Sequence, residues 1–369
     1  MQLTNTTSFA AGCFRQFNLV GALNGVVAVR GAFDIAPDQP LRPAAAQPQF
    51  QWSDLYEGPP RESHLLSQAD FVPYKPGTDV TFLGAAYAPD GVAATSWVCG
   101  LRIGERLKKL VRVHGPRWWR PKWRSARPSL VGAEAEAQFE GWELTQAEPV
   151  VATPLTWTLA FGGEWPLRSG QTGPAERHAE NELGVGMLDL HHSPKDRALP
   201  APRIEAVDDP VVDWRGMHQP QGFAPVPPWW SPRQRHVGTV DDRWIAERHP
   251  ILPEDFDFHF WQCAPPDQVV EPWLRGDEVI ELAHLHPRHA MLRMRLPALA
   301  LTAEVRGADG AARRAPLVLD GVHIDLRAGR SAVDLTWRTA FACEDADVAI
   351  TLEAHRIGAS PPGASANEA

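Results

Sequence analysis

Tyrosine and methionine are scarce in this chain, at 3 and 5 of 369 residues, and cysteine is scarcer than its length would allow, with Cys13, Cys99, Cys263 and Cys343 as the whole set. The four are far apart and none forms a CxxC pair, so neither a disulfide scaffold nor a cysteine zinc site is expected; a reduced, cytoplasmic protein is. No apolar run approaches the roughly 18 residues of a membrane span. The first residues, MQLTNTTSFAAG, lack a basic and then apolar leader, so a protein that neither crosses a membrane nor leaves by the general export route is expected. An excess of positive charge is also lacking. The formal net charge is -9, which argues against nucleic acid as a general partner, because no overall field draws phosphate in. The signatures of the commonest catalytic loops are missing too: GxSxG, GxxxxGK[ST] and a GxGxxG following a strand.

What is abundant is proline, with 35 residues, and tryptophan, with 15. Both concentrate in residues 219–272, QPQGFAPVPPWWSPRQRHVGTVDDRWIAERHPILPEDFDFHFWQCAPPDQVVEP, which follow neither a period of two nor one of 3.6. Proline fixes φ and removes a donor, so regular structure there is confined to short pieces. Thr239 with Asp242 has the form of a capping box, predicting a helix of about two turns through WIAER that Pro250 stops. Trp229, Trp230, Trp244, Phe256, Phe258, Phe260 and Trp261 are too large to hang from an unfolded loop and must bury against something.

Elsewhere the pattern is β. Residues 14–36 read as a hairpin turning at Asn24-Gly25. Residues 37–68 read as a long loop with an ordered patch at WSDLYEG. TDVTFLGAAYA, VAATSWVCGLRI and RLKKLVRVHG, separated by Pro89-Asp90-Gly91 and Gly104-Glu105, read as a three-strand meander. PVVATPLTWTLAFGG adds a strand ending in Gly162-Gly163, a pair that suits a tight turn better than a ligand approach. After residue 272 come strands at near-regular spacing, with turns at Asp309-Gly310 and Asp320-Gly321, and after Ile357 a small, polar, disordered tail.

Chemistry has few candidates. His284, His286 and His289 are the best metal set, because His284 and His286 would share a sheet face if the strand ran through them, but His289 lies past Pro287 and surface histidines are the commoner explanation. His191 and His192 would diverge in a strand. Glu254, Asp255 and Asp257 are the acids a glycan hydrolase could use, given one with a raised pKa. The cationic PRWWRPKWRSARP, residues 116–128, could stack and pair with an anion, but reads better as a loop whose tryptophans cap the sheet. The Trp and Arg content of 219–272 matches interface anchors and an irregular core equally well.

Several segments coincide, in order, with one family. DFVPYKPGTDV, LKKLVRVHGPRWW, PLTWTLAFGG, NELGVG, LPAPRIE, GFAPVPPWWSPR, GTVDDRW, LPEDFDFHFWQCAPPDQ and GDEVIELAHLHP together resemble a bacterial domain of unknown function found in type VI secretion gene clusters, over about residues 70–297. The resemblance implies a cytoplasmic adaptor or chaperone, not an enzyme, that stabilises an effector carrying a PAAR-like tip domain and helps load it onto the spike protein VgrG. The sequence departs from the family at His114-Gly115-Pro116-Arg117 and at Gln68, where an acid is usual, which bears on the choice of cargo.

The expected fold is mainly β: antiparallel sheets, sandwich or open-barrel-like, around a long Pro/Trp-rich irregular middle segment with few short helices. Its regions are 1–165, 166–272 and 273–357 with a tail at 358–369, or one continuous domain. The expected partners are a PAAR-like effector and VgrG, without nucleic acid, membrane or cofactor. The anchors are drawn from Trp229, Trp230, Arg233, Arg235, Trp244 and Trp261. The rivals are a glycan-type hydrolase using the acids at 254–257 and a structural component of the secretion apparatus.

Overall fold

Two strands four residues apart, Gln2–Asn5 and Ala10–Phe17, form opposite ends of one seven-strand path through the larger sheet. A flat sheet that wide would set them roughly 29 Å apart, at about 4.8 Å per strand. The linking residues can span only roughly 17 Å. The sheet must therefore curl, and it forms a nearly closed, barrel-like surface. The computed structural model describes residues 1–124, 137–165, 175–307, 310–343 and 348–357. Within them the chain is mainly β, with antiparallel sheets and few short helices, as its alternation predicts. The tail at 358–369 and the end of the cationic stretch, 125–128, lie outside the described residues.

Along that path the order is Gln2–Asn5, Ala349–Arg356, Leu299–Arg306, Ala312–Asp325, Ala332–Ala342, Leu23–Asp34 and Ala10–Phe17. Thr78–Leu83 joins it by pairing in parallel with the second half of Ala312–Asp325. A second sheet of five strands runs Ile204–Ala206, Leu107–His114, Ser96–Ile103, Val279–Ala283 and Met291–Arg295. One buried apolar cluster includes Val27, Trp97, Ile103, Trp157, Phe223, Trp230, Ile280, Leu335 and Leu352, so all three sequence regions contribute to a common core. A smaller cluster of Trp119, Trp142, Leu188, Ala201, Val211 and Trp214 lies under the ribbon of Trp118–Arg124 and Gln138–Leu144.

Most strands form where alternation places them, but Trp118–Arg124, in a stretch read as a loop, is a strand paired with Gln138–Leu144, and several connections differ from expectation. The first hairpin turns at residues 18–22, where the Asn18 side chain accepts from the Val20 and Ala22 amides, and not at Asn24-Gly25. Gly25 lies inside the second strand because a Cβ there would sit 2.6 Å from the Phe341 ring. The three-strand meander is a two-strand hairpin. Ser96–Ile103 and Leu107–His114 pair as expected, but their third neighbour is Val279–Ala283, while Thr78–Leu83 departs to the larger sheet. Alternation shows that a strand exists but does not choose its partner. Asp320-Gly321 is no turn either: it is a bulge in the continuous strand Ala312–Asp325, and it turns the Asp320 carboxylate inward onto Arg338. Gly162 and Gly163, at φ 142° and 96°, let the backbone approach residues 181–184; a side chain at Gly162 would collide with the Asn181 carbonyl.

Candidate functional site

The irregular segment is organised around one buried carboxylate. Asp79, in the strand Thr78–Leu83, accepts from the Gln262 side chain (2.9 Å), the backbone amides of Cys263 (2.9 Å) and Ala264 (3.0 Å), and Lys75 Nζ (2.7 Å). Prolines deny residues 263–266 a regular partner, so a carboxylate in the neighbouring strand satisfies their donors. Burial opposes the charge on Lys75, but Asp79 outweighs it and holds the ammonium above its usual range. Gln268 continues the contact by donating to the Val80 and Phe223 carbonyls.

Beside this anchor lies a second polar layer. Arg338 pairs with Asp320 at 2.6 Å and donates to the Asp70 and Val72 carbonyls. Arg30 pairs with Asp334 at 2.8 Å and with Asp70 at 3.5 Å. Between them is a cavity of about 40 Å³, also lined by Thr81, Cys263 and His323. It has room for about one water molecule, not for a substrate. Burial, with Asp79 nearby, pushes the Cys263 thiol up to about 12, so it stays protonated and is no nucleophile at neutral pH. Chemically this region is a set of paired, desolvated charges that fixes the irregular segment to the sheets.

The anchor residues named from sequence divide between interior and surface. Trp230 is 1% exposed and packs edge-on against Trp157. Arg233 is 2% exposed and donates to the Val226 and Phe260 carbonyls, stitching Ser231–Gln234 to Phe258–Trp261. Both are core residues and no partner reaches them in this conformation. Trp229 is half-buried, stacked on Tyr56 with Arg61 over its ring. Trp244 and Trp261 are half-buried, and Arg235 is exposed. The Asp242–Glu247 helix is capped by Asp241, whose carboxylate accepts from the Trp244 amide, and not by Thr239. Thr239 is held elsewhere: both its amide and its hydroxyl donate to Asp255.

The histidine set does not converge. The strand ends at Ala283 and His284 has φ 55°, so the two-residue alternation stops before it begins, and only His286 and His289 lie close, their ring centroids 4.8 Å apart. His192 pairs with Asp189 at 2.8 Å rather than with His191. Of the proposed acids, Asp255 is held below its usual range by Thr239 and Asp257 by its histidine hydrogen bonds against the effect of burial, the reverse of what a general acid requires. Glu254 is exposed and 3.5 Å from Arg248.

Two features were missed from sequence. His236 Nδ1 lies 2.8 Å from one Asp257 oxygen, His259 Nδ1 lies 2.5 Å from the other, and His259 Nε2 lies 2.9 Å from Glu271. The Asp257-x-His259 spacing carries part of that signal, which a reading of Asp257 as a hydrolytic acid leaves out. The second is an aromatic surface. Trp52 is 61% exposed and Phe71 42%; Phe50 packs at a tilt against Trp52 at 4.6 Å and Phe14 supports Phe71 at 4.3 Å. Three residues on, Tyr74, 38% exposed, meets Phe258 and Trp273 edge-on. Aromatics in WSDLYEG and DFVPYKPG, outside any long strand, were its legible sign.

The departures at Gln68 and at 114–117 acquire a structural setting. Gln68 is buried and donates to the Trp261 carbonyl. His114 and Arg117 are both held by Glu205, at 2.8 and 2.7 Å, so the acid comes from the neighbouring strand.

Among the described residues no helix is long and apolar enough to cross a membrane. No curated protein and no solved structure matches the chain. A family model described as an uncharacterized protein conserved in bacteria (DUF2169) matches residues 21–338, and the chain belongs to that family.

Proposed function

We propose that this protein is an adaptor that binds another polypeptide, specifically a PAAR-like type VI effector, which it stabilises in the producing cell and helps load onto VgrG. The observation that carries the binding role is the set of exposed aromatics Trp52, Phe71 and Tyr74, with half-buried Phe50 behind Trp52. Trp52 and Phe71, with centroids 6.0 Å apart, are large apolar groups left in water next to a segment fixed by buried charges. Solvent-facing aromatics on a rigid support have the composition and preorganisation of interface anchors. The identity of the partner follows from the sequence resemblance. Trp229, Arg235, Trp244 and Trp261 are the reachable members of the sequence-derived set and extend the contact; Trp230 and Arg233 support it from inside.

The test is a tagged pull-down from producing cells at moderate salt, comparing the native chain with Trp52→Ala/Phe71→Ala. Near-stoichiometric recovery of a PAAR-like effector or VgrG with the native chain, cut at least tenfold in a variant with unchanged circular dichroism, is the expected result. A native chain that recovers neither partner, or a variant that recovers both equally well, would remove the basis for this reading.

A further inference from the structure

We propose that His236, Asp257 and His259 form a binding site for a divalent transition-metal ion of the zinc class. One ligand atom from each residue lies within 4.8 Å of the others, and this is the one such convergence of three or more His, Cys, Asp or Glu among the described residues. Two imidazoles and a carboxylate are a donor set that Zn²⁺ accepts, at about 2.0–2.2 Å per bond. The present Nδ1–O separations of 2.5 and 2.8 Å are hydrogen-bond lengths. Metal bonds of that length around a tetrahedron spread neighbouring donors to roughly 3.4 Å, an opening of less than 1 Å per contact. All three side chains are partly exposed, which leaves room for that movement and for water at an open fourth position.

The surrounding contacts favour metal ligation at the same two nitrogens. His259 Nε2 faces Glu271 at 2.9 Å, so a proton there directs the Nδ1 lone pair toward Asp257. A carboxylate behind a histidine ligand is the usual outer partner at zinc sites. The Asp257 amide donates to the His236 carbonyl at 3.0 Å, and Asp257 caps Phe258–Trp261 by accepting from the His259 amide, so the backbone has already brought the three ligands together. One contact must yield: Arg235 Nε lies 3.2 Å from His236 Nε2, which takes up a proton once Nδ1 binds metal. Arg235 is exposed and free to swing away. Asp257 and Glu271 together balance the ion's two charges. The site goes beyond the adaptor reading and does not depend on it: the ion clips the turn after Ser231–Gln234 to the turn at Phe258–Trp261, closing the irregular segment on itself.

The experiment is titration of the chelator-treated, full-length protein with Co²⁺, followed by its visible d–d absorption, and with Zn²⁺ by calorimetry. The native chain is expected to take up one ion, with intense absorption of four- or five-coordinate cobalt and a higher melting temperature. His236→Ala, His259→Ala and the milder Asp257→Asn, each checked for native circular dichroism, are expected to weaken binding at least tenfold and abolish the thermal shift. His286→Ala/His289→Ala is expected to change neither. Absence of stoichiometric uptake by the native chain overturns the proposal, as does uptake that persists in folded His236→Ala or Asp257→Asn.

Discussion

The molecule has two clusters of charged and titratable side chains that bear on residues 219–272, one bonding to them from the sheets and one lying on them, and they differ in what surrounds them. In the inner one, Lys75, Asp79, Arg338 and Asp320 are all nearly or fully out of water and bound to named partners. In the outer one, His236, Asp257, His259 and Glu271 have similar hydrogen-bond lengths but face solvent. Inside, each charge depends on its partner, because the alternative is an uncompensated ion in a low-dielectric interior. Outside, water can replace any partner, so the same chemistry is free to exchange a proton for a ligand. Residue type alone does not separate structure from function here; burial does.

The sharpest way to break that contrast is to remove one inner partner. Asp79→Ala strands Lys75 and frees the donors of Gln262, Cys263 and Ala264, so it is expected to cost about 3–5 kcal/mol in urea denaturation. A loss below about 1 kcal/mol would mean that the network is not what holds the irregular segment. Replacing both charges, Lys75→Met with Asp79→Leu, is expected to restore part of that loss, since an apolar pair removes the stranded ion. Trp230→Ala is expected to cost a similar about 3–5 kcal/mol through the cavity left beside Trp157.

Acid reaches two further groups in different pH windows. Burial opposes ionisation of Glu205, but His114 and Arg117 overcome it and bring its pKa to about 2 from 4.5. A depressed carboxylate stabilises the fold above its unfolded pKa, so its contribution, about 3 kcal/mol at most, is expected to be lost as pH falls from 4.5 toward 2. Burial also pushes His323 down to about 4 from 6.5. The fold binds the neutral imidazole, so this contribution is complete above 6.5 and disappears earlier, as pH falls from 6.5 toward 4. Urea midpoints measured across that range should decline in two stages. Glu205→Gln should remove the lower one, and a variant that keeps it would deny Glu205 the role.

Much of the fold was legible because its signals are local. Alternation located most strands of both sheets, though not the edge strands Gln2–Asn5 and Ile204–Ala206, and the prolines of 219–272 correctly announced short helices and turns. What could not be read was pairing. Thr78–Leu83 finds a parallel partner in residues 321–325, some 240 positions away, and nothing in TDVTF names it. Asp320-Gly321 has the composition of a turn and serves as a bulge, where the missing side chain of Gly321 leaves room beside Thr336. The site was legible in part for the same reason. That the tryptophans must bury was inferable, but which of two neighbours, Trp229 or Trp230, faces inward depends on Trp157 and Tyr56, each brought there by tertiary structure. Asp79 did leave a trace, as the one charged residue of the buried strand Thr78–Leu83, four positions from Lys75.

The smallest expected effect sharpens the contrast from the outer side. Arg243 and Glu247 form an i,i+4 pair at 3.0 Å on the short Asp242–Glu247 helix, with both side chains mostly in water. Its geometry is as good as that of the buried pairs, so if geometry governed strength, Glu247→Gln would cost as much as breaking one of them. Solvent screening and the ordering of two long side chains instead predict a loss under about 0.5 kcal/mol, shrinking further in added salt. Urea denaturation at low and high ionic strength measures both. A salt-independent loss of 2 kcal/mol or more, far above the roughly 0–1 kcal/mol of exposed pairs, would show that this helix is covered in solution and that the outer surface has an occupant.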